Sequence, residues 1–141
     1  MTVQRLPDWP ELLCAAIEER RSIQFQWGPN DCVSCASSII AKFTCTDIMK
    51  AYRGSYSSAL GAMRLFKEHG GFLDLVDKTC EEHGVLTIPN GFAGRGDLSA
   101  HKLDGRISLA IVSGAGWSWA PCKNGLTILP METAIKSWRV N

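Results

Sequence analysis

The hexad Trp27-Gly28-Pro29-Asn30-Asp31-Cys32 constrains this chain more than any other stretch, because it runs straight into the apolar segment Val33-Ser34-Cys35-Ala36-Ser37-Ser38-Ile39-Ile40. Gly-Pro makes a turn, Asn30 or Asp31 serves as helix cap, and Cys32 arrives in the first helical turn. The free N–H groups of that turn favour negative charge, so a thiol held there gains thiolate character and becomes a nucleophile. A carboxylate at Asp31 works in the opposite sense and raises a neighbouring thiol's pKa, which makes capping its expected role. The competing reading of Cys32 is a small buried hydrophobe, as free cysteines commonly are.

A chain of 141 residues has room for one core rather than two ordinary domains, so a single domain over residues 1–141 is expected. Hydrophobic content of 45% with 21% charged residues fits a folded, soluble chain and argues against disorder. Fifteen basic and 14 acidic residues leave a net charge of +1, which gives no electrostatic footprint for DNA or RNA. No apolar stretch nears the roughly 20 residues needed to span a bilayer. The opening Met1-Thr2-Val3-Gln4-Arg5-Leu6-Pro7 has no apolar core or cleavage pattern, so no signal peptide is expected and folding is placed in a cytoplasm.

In that setting the cysteines at 14, 32, 35, 45, 80 and 122 do not form a disulfide framework. Cys32 and Cys35 form a C-x-x-C pair. A redox site would want a preceding βαβ unit, and a zinc site a second ligand pair, and neither stands in the sequence. Cys35 is expected to pack inward beside Ala36 and Ile39. A zinc ion or iron–sulfur cluster on Cys32, Cys35 and a third cysteine such as Cys122 stays as a separate reading. Otherwise neither cofactor nor metal is implied.

Asp8 is placed to cap a first helix, with Pro10 and Glu11 in its first turn and Leu12, Leu13, Ala16 and Ile17 as its buried stripe. Ile23, Phe25 and Trp27 alternate with polar residues, the period of a short strand. The cysteine helix runs from about Cys32 to Phe43, anchored by Ile39, Ile40 and Phe43. After the turn Ala51-Tyr52-Arg53-Gly54-Ser55-Tyr56, Ser57 or Ser58 caps a helix carrying Leu60, Met63, Leu65 and Phe66 that stops at Gly70-Gly71. Another spans Phe72 to His83. Beyond Gly84 the texture changes: Val85–Pro89 is extended, and Asn90 to Gly96 forms a Gly-rich loop without a dinucleotide fingerprint. Strands are expected near Asp97–Lys102, Arg106–Ser113, Gly116–Ala120, Leu126–Leu129 and Ile135–Val140, with turns between. Helices first and an antiparallel sheet afterwards make an α+β fold.

The order Asp-Cys at a helix start, then Gly96-Asp97-Leu98 opening the sheet, then Ser108-Leu109-Ala110-Ile111-Val112 resembles the NlpC-type branch of the papain-like cysteine peptidases, which cut the peptide stems of bacterial cell wall. The sequence Trp-Gly-x-x-Asp-Cys, the block Tyr52-Arg53-Gly54-Ser55-Tyr56-Ser57-Ser58-Ala59-Leu60-Gly61-Ala62 and the ending Ser137-Trp138-Arg139-Val140 are similar to small tail-assembly proteins of long-tailed bacteriophages, over about Trp9 to Val140. The resemblance implies a papain-like fold with N-terminal helices packed on a C-terminal antiparallel sheet, and Cys32 as nucleophile. It also implies other tail proteins of the hub or tip as partners, peptidoglycan as a further one, and a passage from host cytoplasm to virion tail. Active relatives carry a histidine base in a His-Val-Gly-Ile-Tyr pattern. Aligned on it, Ser108 stands at the base position, and serine does not take a proton from a thiol near neutral pH. The polar residue that orients the histidine would fall near Trp117–Trp119 and is not evident.

Of the three histidines, His69 and His83 sit at helix ends, where they can bond the last carbonyls. His101 lies in the sheet a few residues before the expected position and is the available substitute base. Two functions follow. One is a tail-tip structural protein with a degenerate peptidase fold. The other is a cysteine endopeptidase for peptidoglycan stems, using Cys32 and His101 during genome entry. Trp117 and Trp119 share a strand face and suit core, a protein interface or a sugar platform. Arg53 with Tyr52 and Tyr56 could equally meet a partner or fold onto the cysteine helix.

Overall fold

Apolar residues recurring at helical spacing give way to two-residue alternation near residue 85, and the architecture changes there. Four helices come first: α1 (Trp9–Arg20), α2 (Cys32–Thr44), α3 (Ala59–Glu68) and α4 (Phe72–Glu82). Six strands follow: β1 (Leu86–Ile88), β2 (Leu98–Leu103), β3 (Arg106–Val112), β4 (Trp117–Cys122), β5 (Gly125–Pro130) and β6 (Ala134–Arg139). The computed structural model describes residues 2–141. The strands form one sheet in the order β1-β6-β2-β3-β4-β5, with every neighbouring pair antiparallel. The fold is therefore α+β, N-terminal helices on a C-terminal antiparallel sheet.

Helix α2 is the spine of the core. Ile39, Ile40 and Phe43 are sealed from solvent between Leu13 and Ile17 of α1 and the helix-facing side of the sheet. Its buried hydroxyls are satisfied inside the helix: Ser37 donates to the Val33 carbonyl and Thr44 to that of Ile40, each at 2.7 Å. On the sheet, Leu98 pairs with Ile111 and Ala100 with Leu109, and these side chains join the same core. Strand alternation sends Ser99, His101 and Ala110 to the opposite face. Trp138 and Val140, from the far end of the chain, close the core. A buried aromatic such as Phe43 contributes enough packing that truncation to alanine costs about 3–5 kcal/mol.

Two local expectations need correction. The segment Ile23–Trp27 is no strand; it carries an isolated bridge between Gln26 and Asn30, and Ile23 is exposed. It runs past the end of β4, where the Phe25 N–H donates to the Cys122 carbonyl. Asp8 stands at the α1 N-cap position but makes no side-chain capping bond. On α3, Leu60 and Met63 are exposed, while Ala62 and Phe66 face inward with Leu75 and Tyr56. Ser58 is the α3 cap, accepting from the Gly61 N–H.

Candidate functional site

The Trp27–Cys32 turn is built around Asp31, which is almost fully buried. One carboxylate oxygen accepts from the N–H groups of Val33 and Ser34, both at 3.0 Å. The other accepts from the Gly28 N–H at 2.9 Å and the Tyr56 hydroxyl at 2.7 Å. Ser34 completes a capping box by accepting from the Asp31 N–H. Gly28 has φ +95°, and a Cβ there would lie 2.8 Å from the Tyr56 carbonyl oxygen, so the turn and the Tyr56 segment meet only through glycine. Arg53 folds the same way: its guanidinium donates to Ser37 on α2 at 2.7 Å and pairs with Asp47. The Tyr52–Tyr56 block thus belongs to the cysteine helix. Neighbouring Asn30 braces the turn, taking a bond from Arg20 and donating to the Ile23 and Gln24 carbonyls.

Cys32 opens onto a cleft of about 720 Å³ whose walls include Phe25, Trp27, Phe66, Ile107 and Ser108. This size is typical of ligand pockets, and the lining is largely apolar. Arg106, 5.5 Å from the Trp27 ring, and Lys123 stand on its border. The surroundings of Cys32 disfavour its thiolate. Burial pushes the thiol up to about 12, and the Asp31 charge adds to that rise. The Leu109 backbone and the Ser108 side chain lie against it and pull the other way without prevailing. The helix start does not supply the expected depression for a local reason. Its N–H groups are already engaged by Asp31, whose charge offsets the positive helix end.

Ser108 is therefore the β3 side chain placed beside Cys32, whereas His101 is not brought to it. His101 is completely buried, with Nδ1 2.9 Å from Thr133 Oγ1 and Nε2 2.8 Å from Ser99 Oγ. Thr133 donates to the Pro130 carbonyl, which can only accept, so Thr133 receives the Nδ1–H of His101. Nε2 is then the acceptor of the Ser99 hydroxyl, and Ser99 in turn meets Ser118 at 2.8 Å. Both ring nitrogens are committed within this seam, and burial lowers the His101 pKa. The assignment of His101 as base for Cys32 is corrected accordingly.

The remaining histidines end helices. His69 Nδ1 lies 3.0 Å from the Leu65 carbonyl and His83 Nδ1 2.8 Å from that of Thr79. Cys35 is buried in the core, and Cys122 lines the cleft with Cys32. Among the described residues no three His, Cys, Asp or Glu side chains converge as a metal would require, so the Cys32–Cys35–Cys122 ligand set is not assembled. Trp117 and Trp119 meet edge to face at 6.4 Å and are both partly buried.

A second constellation had only the Gly96-Asp97-Leu98 pattern as its signal. Buried Asp97 pairs with Arg5 at 3.1 Å and Arg139 at 3.4 Å, and accepts from the N–H groups of Gly94 and Val140. It joins the start, middle and end of the chain. No helix is long and apolar enough to cross a membrane among the described residues. No curated protein matches the chain. Residues 4–140, which include the capped cysteine turn, the cleft and the Asp97 junction, match one family throughout, and the chain belongs to that family, described as a domain of unknown function (DUF6950).

Proposed function

We propose that this protein is a structural component of a long-tailed bacteriophage tail tip, or of its assembly, built on a papain-like fold that does not work as a peptidase. The observation that carries the non-catalytic part is the pairing at Cys32: the sheet side chain beside the thiol is Ser108, and burial keeps the sulfur protonated near neutral pH. A peptidase of this design needs a base to take the thiol proton and return it to the leaving amine. Serine does neither at that pH. The assignment to tails is supported by the Tyr52–Ala62 block and the Trp138-Arg139-Val140 ending, whose likeness to tail-assembly proteins extends across most of the chain. Placement in the host cytoplasm during assembly and in the virion tail afterwards belongs to the same reading.

The test has a chemical and a biological arm. Purified protein incubated with muropeptides is expected to release no new fragment. In a phage or prophage carrying the gene, deletion abolishes tails, while Cys32→Ala gives tails of normal number and infectivity. Muropeptide cleavage that disappears in Cys32→Ala would instead establish the endopeptidase. Normal tails after deletion would remove the assembly role.

A further inference from the structure

Elsewhere in the fold, cations meet anions singly: Arg21 with Glu18, Arg53 with Asp47, Lys136 with Asp77. The Asp97 junction breaks that pattern. Its one carboxylate serves both Arg5 and Arg139, and a third guanidinium, Arg95, shares the same concavity of about 490 Å³. Among the described residues no carboxylate pairs with Arg95, whose Nη2 donates to Cys14 Sγ instead. Arg5 lies 4.2 Å and Arg95 5.9 Å from the ring of Trp9, so two like charges approach one indole. Three guanidinium groups and one saturated acidic side chain line this concavity, with Asn141 on its border, in a chain whose overall charge is only +1. Desolvation lowers the Arg5 pKa, Asp97 pulls it back up, and the charge of Arg139 lowers it in the smallest measure.

The cluster is held in place. Arg5 Nε donates to the Val140 carbonyl at 2.6 Å, and Arg139 Nη2 to that of Phe92 at 2.6 Å. Gly96, at φ +90°, lets the Arg5 guanidinium lie flat on the backbone, where a Cβ would come within 3.1 Å. Fixed guanidiniums beside an aromatic face recognise carboxylates in two-point fashion. Arg95 is exposed and the Arg139 side chain is 43% exposed, so a small free anion would gain little against water. Carboxylates carried on a polypeptide bring further contact area with them.

We infer that the Arg5–Arg95–Arg139 concavity beside Trp9 is a docking surface for an acidic segment of a partner protein. It is separate from the Cys32 cleft, so its failure would not touch the reading of that cleft. The probe is a capped tetraglutamate peptide, with a capped tetraglutamine peptide and inorganic phosphate as comparisons, titrated into ¹⁵N-labelled full-length protein. Tetraglutamate is expected to shift the Arg95 and Arg139 backbone amides and the Trp9 indole signal, less strongly as salt is raised. Arg95→Gln, an exposed change that leaves the Asp97 bonds intact, is expected to weaken binding about fivefold. Arg95→Gln with Arg139→Gln abolishes it, and Arg139→Lys with wild-type Arg95 weakens it less than the double variant does. No shifts with tetraglutamate, equal shifts with tetraglutamine, or undiminished binding in the double variant would overturn the proposal. Phosphate binding as tight as tetraglutamate would also overturn it, in favour of a small-oxyanion site.

Discussion

The Tyr56 hydroxyl donates to Asp31 Oδ2 at 2.7 Å inside the protein, linking two segments 25 residues apart. Asp31 is thereby both the cap of the cysteine helix and the anchor of the Tyr52–Tyr56 block. Tyr56 is pushed well above the usual phenol range by burial and by that carboxylate, so it stays a donor at any ordinary pH. A hydrogen bond to a charged group contributes about 1.5–3 kcal/mol, so Tyr56→Phe should lower unfolding free energy by about that amount in urea titrations. Asp31→Ala removes the helix cap as well and should cost more. A Tyr56→Phe variant as stable as wild type would show that the bond adds nothing.

Thiol chemistry provides a second measurement. With Cys32 raised to about 12, its alkylation by iodoacetamide at pH 8 should be on the order of a thousandfold slower than that of a free thiol. Exposed Cys14 and Cys45 should be labelled first, and buried Cys35 and Cys80 protected. Peptide mapping by mass spectrometry reads all of these together. Early labelling of Cys32 would contradict the burial argument.

Replacing Ser108 by histidine sets an imidazole against the sulfur, where a positive charge favours thiolate. Ser108→His should therefore accelerate Cys32 alkylation at pH 7 by about tenfold or more. A rate unchanged in a folded Ser108→His variant would mean that position 108 does not address the thiol.

His101 makes the fold acid-sensitive. Burial lowers its pKa, and its two nitrogens meet only the neutral hydroxyls of Ser99 and Thr133. As pH falls below about 6.5, the unfolded chain takes up a proton that the native state resists, so unfolding is favoured. The stabilisation is complete above that pH and declines below it, until the native pKa is reached. Thermal melts between pH 7.5 and 5 should show a falling midpoint, with a shallower slope in His101→Gln. Parallel slopes in the two proteins would assign the effect to other groups.

Asp97 joins Arg5, Arg139 and the backbone of Gly94 and Val140. Asp97→Asn leaves three guanidiniums facing one another without a countercharge, and breaking a buried pair in this way costs about 3–5 kcal/mol. Chemical denaturation should show the loss, with partial recovery on adding Arg139→Gln. An Asp97→Asn variant of wild-type stability would demote the junction to a surface contact.

Sequence by itself determined what depends on neighbours along the chain. The four helices, the change to strands after Gly84, a serine cap at Ser57 or Ser58 and the stop at Gly70-Gly71 follow from periodicity and backbone preference, which act within a few residues. The cap at Asp31 was legible for the same reason. Alternation read near Ile23–Trp27 misled because a strand needs a paired ladder, and this segment makes only the Gln26–Asn30 bridge. Only the tertiary structure decided the character of the site. Whether the Cys32 thiol is activated depends on burial by elements far along the chain, and the same is true of how His101 spends its nitrogens. The meeting of Arg5, Asp97 and Arg139 likewise required closure of the whole chain, since an ion pair acts over ångströms in space regardless of sequence separation.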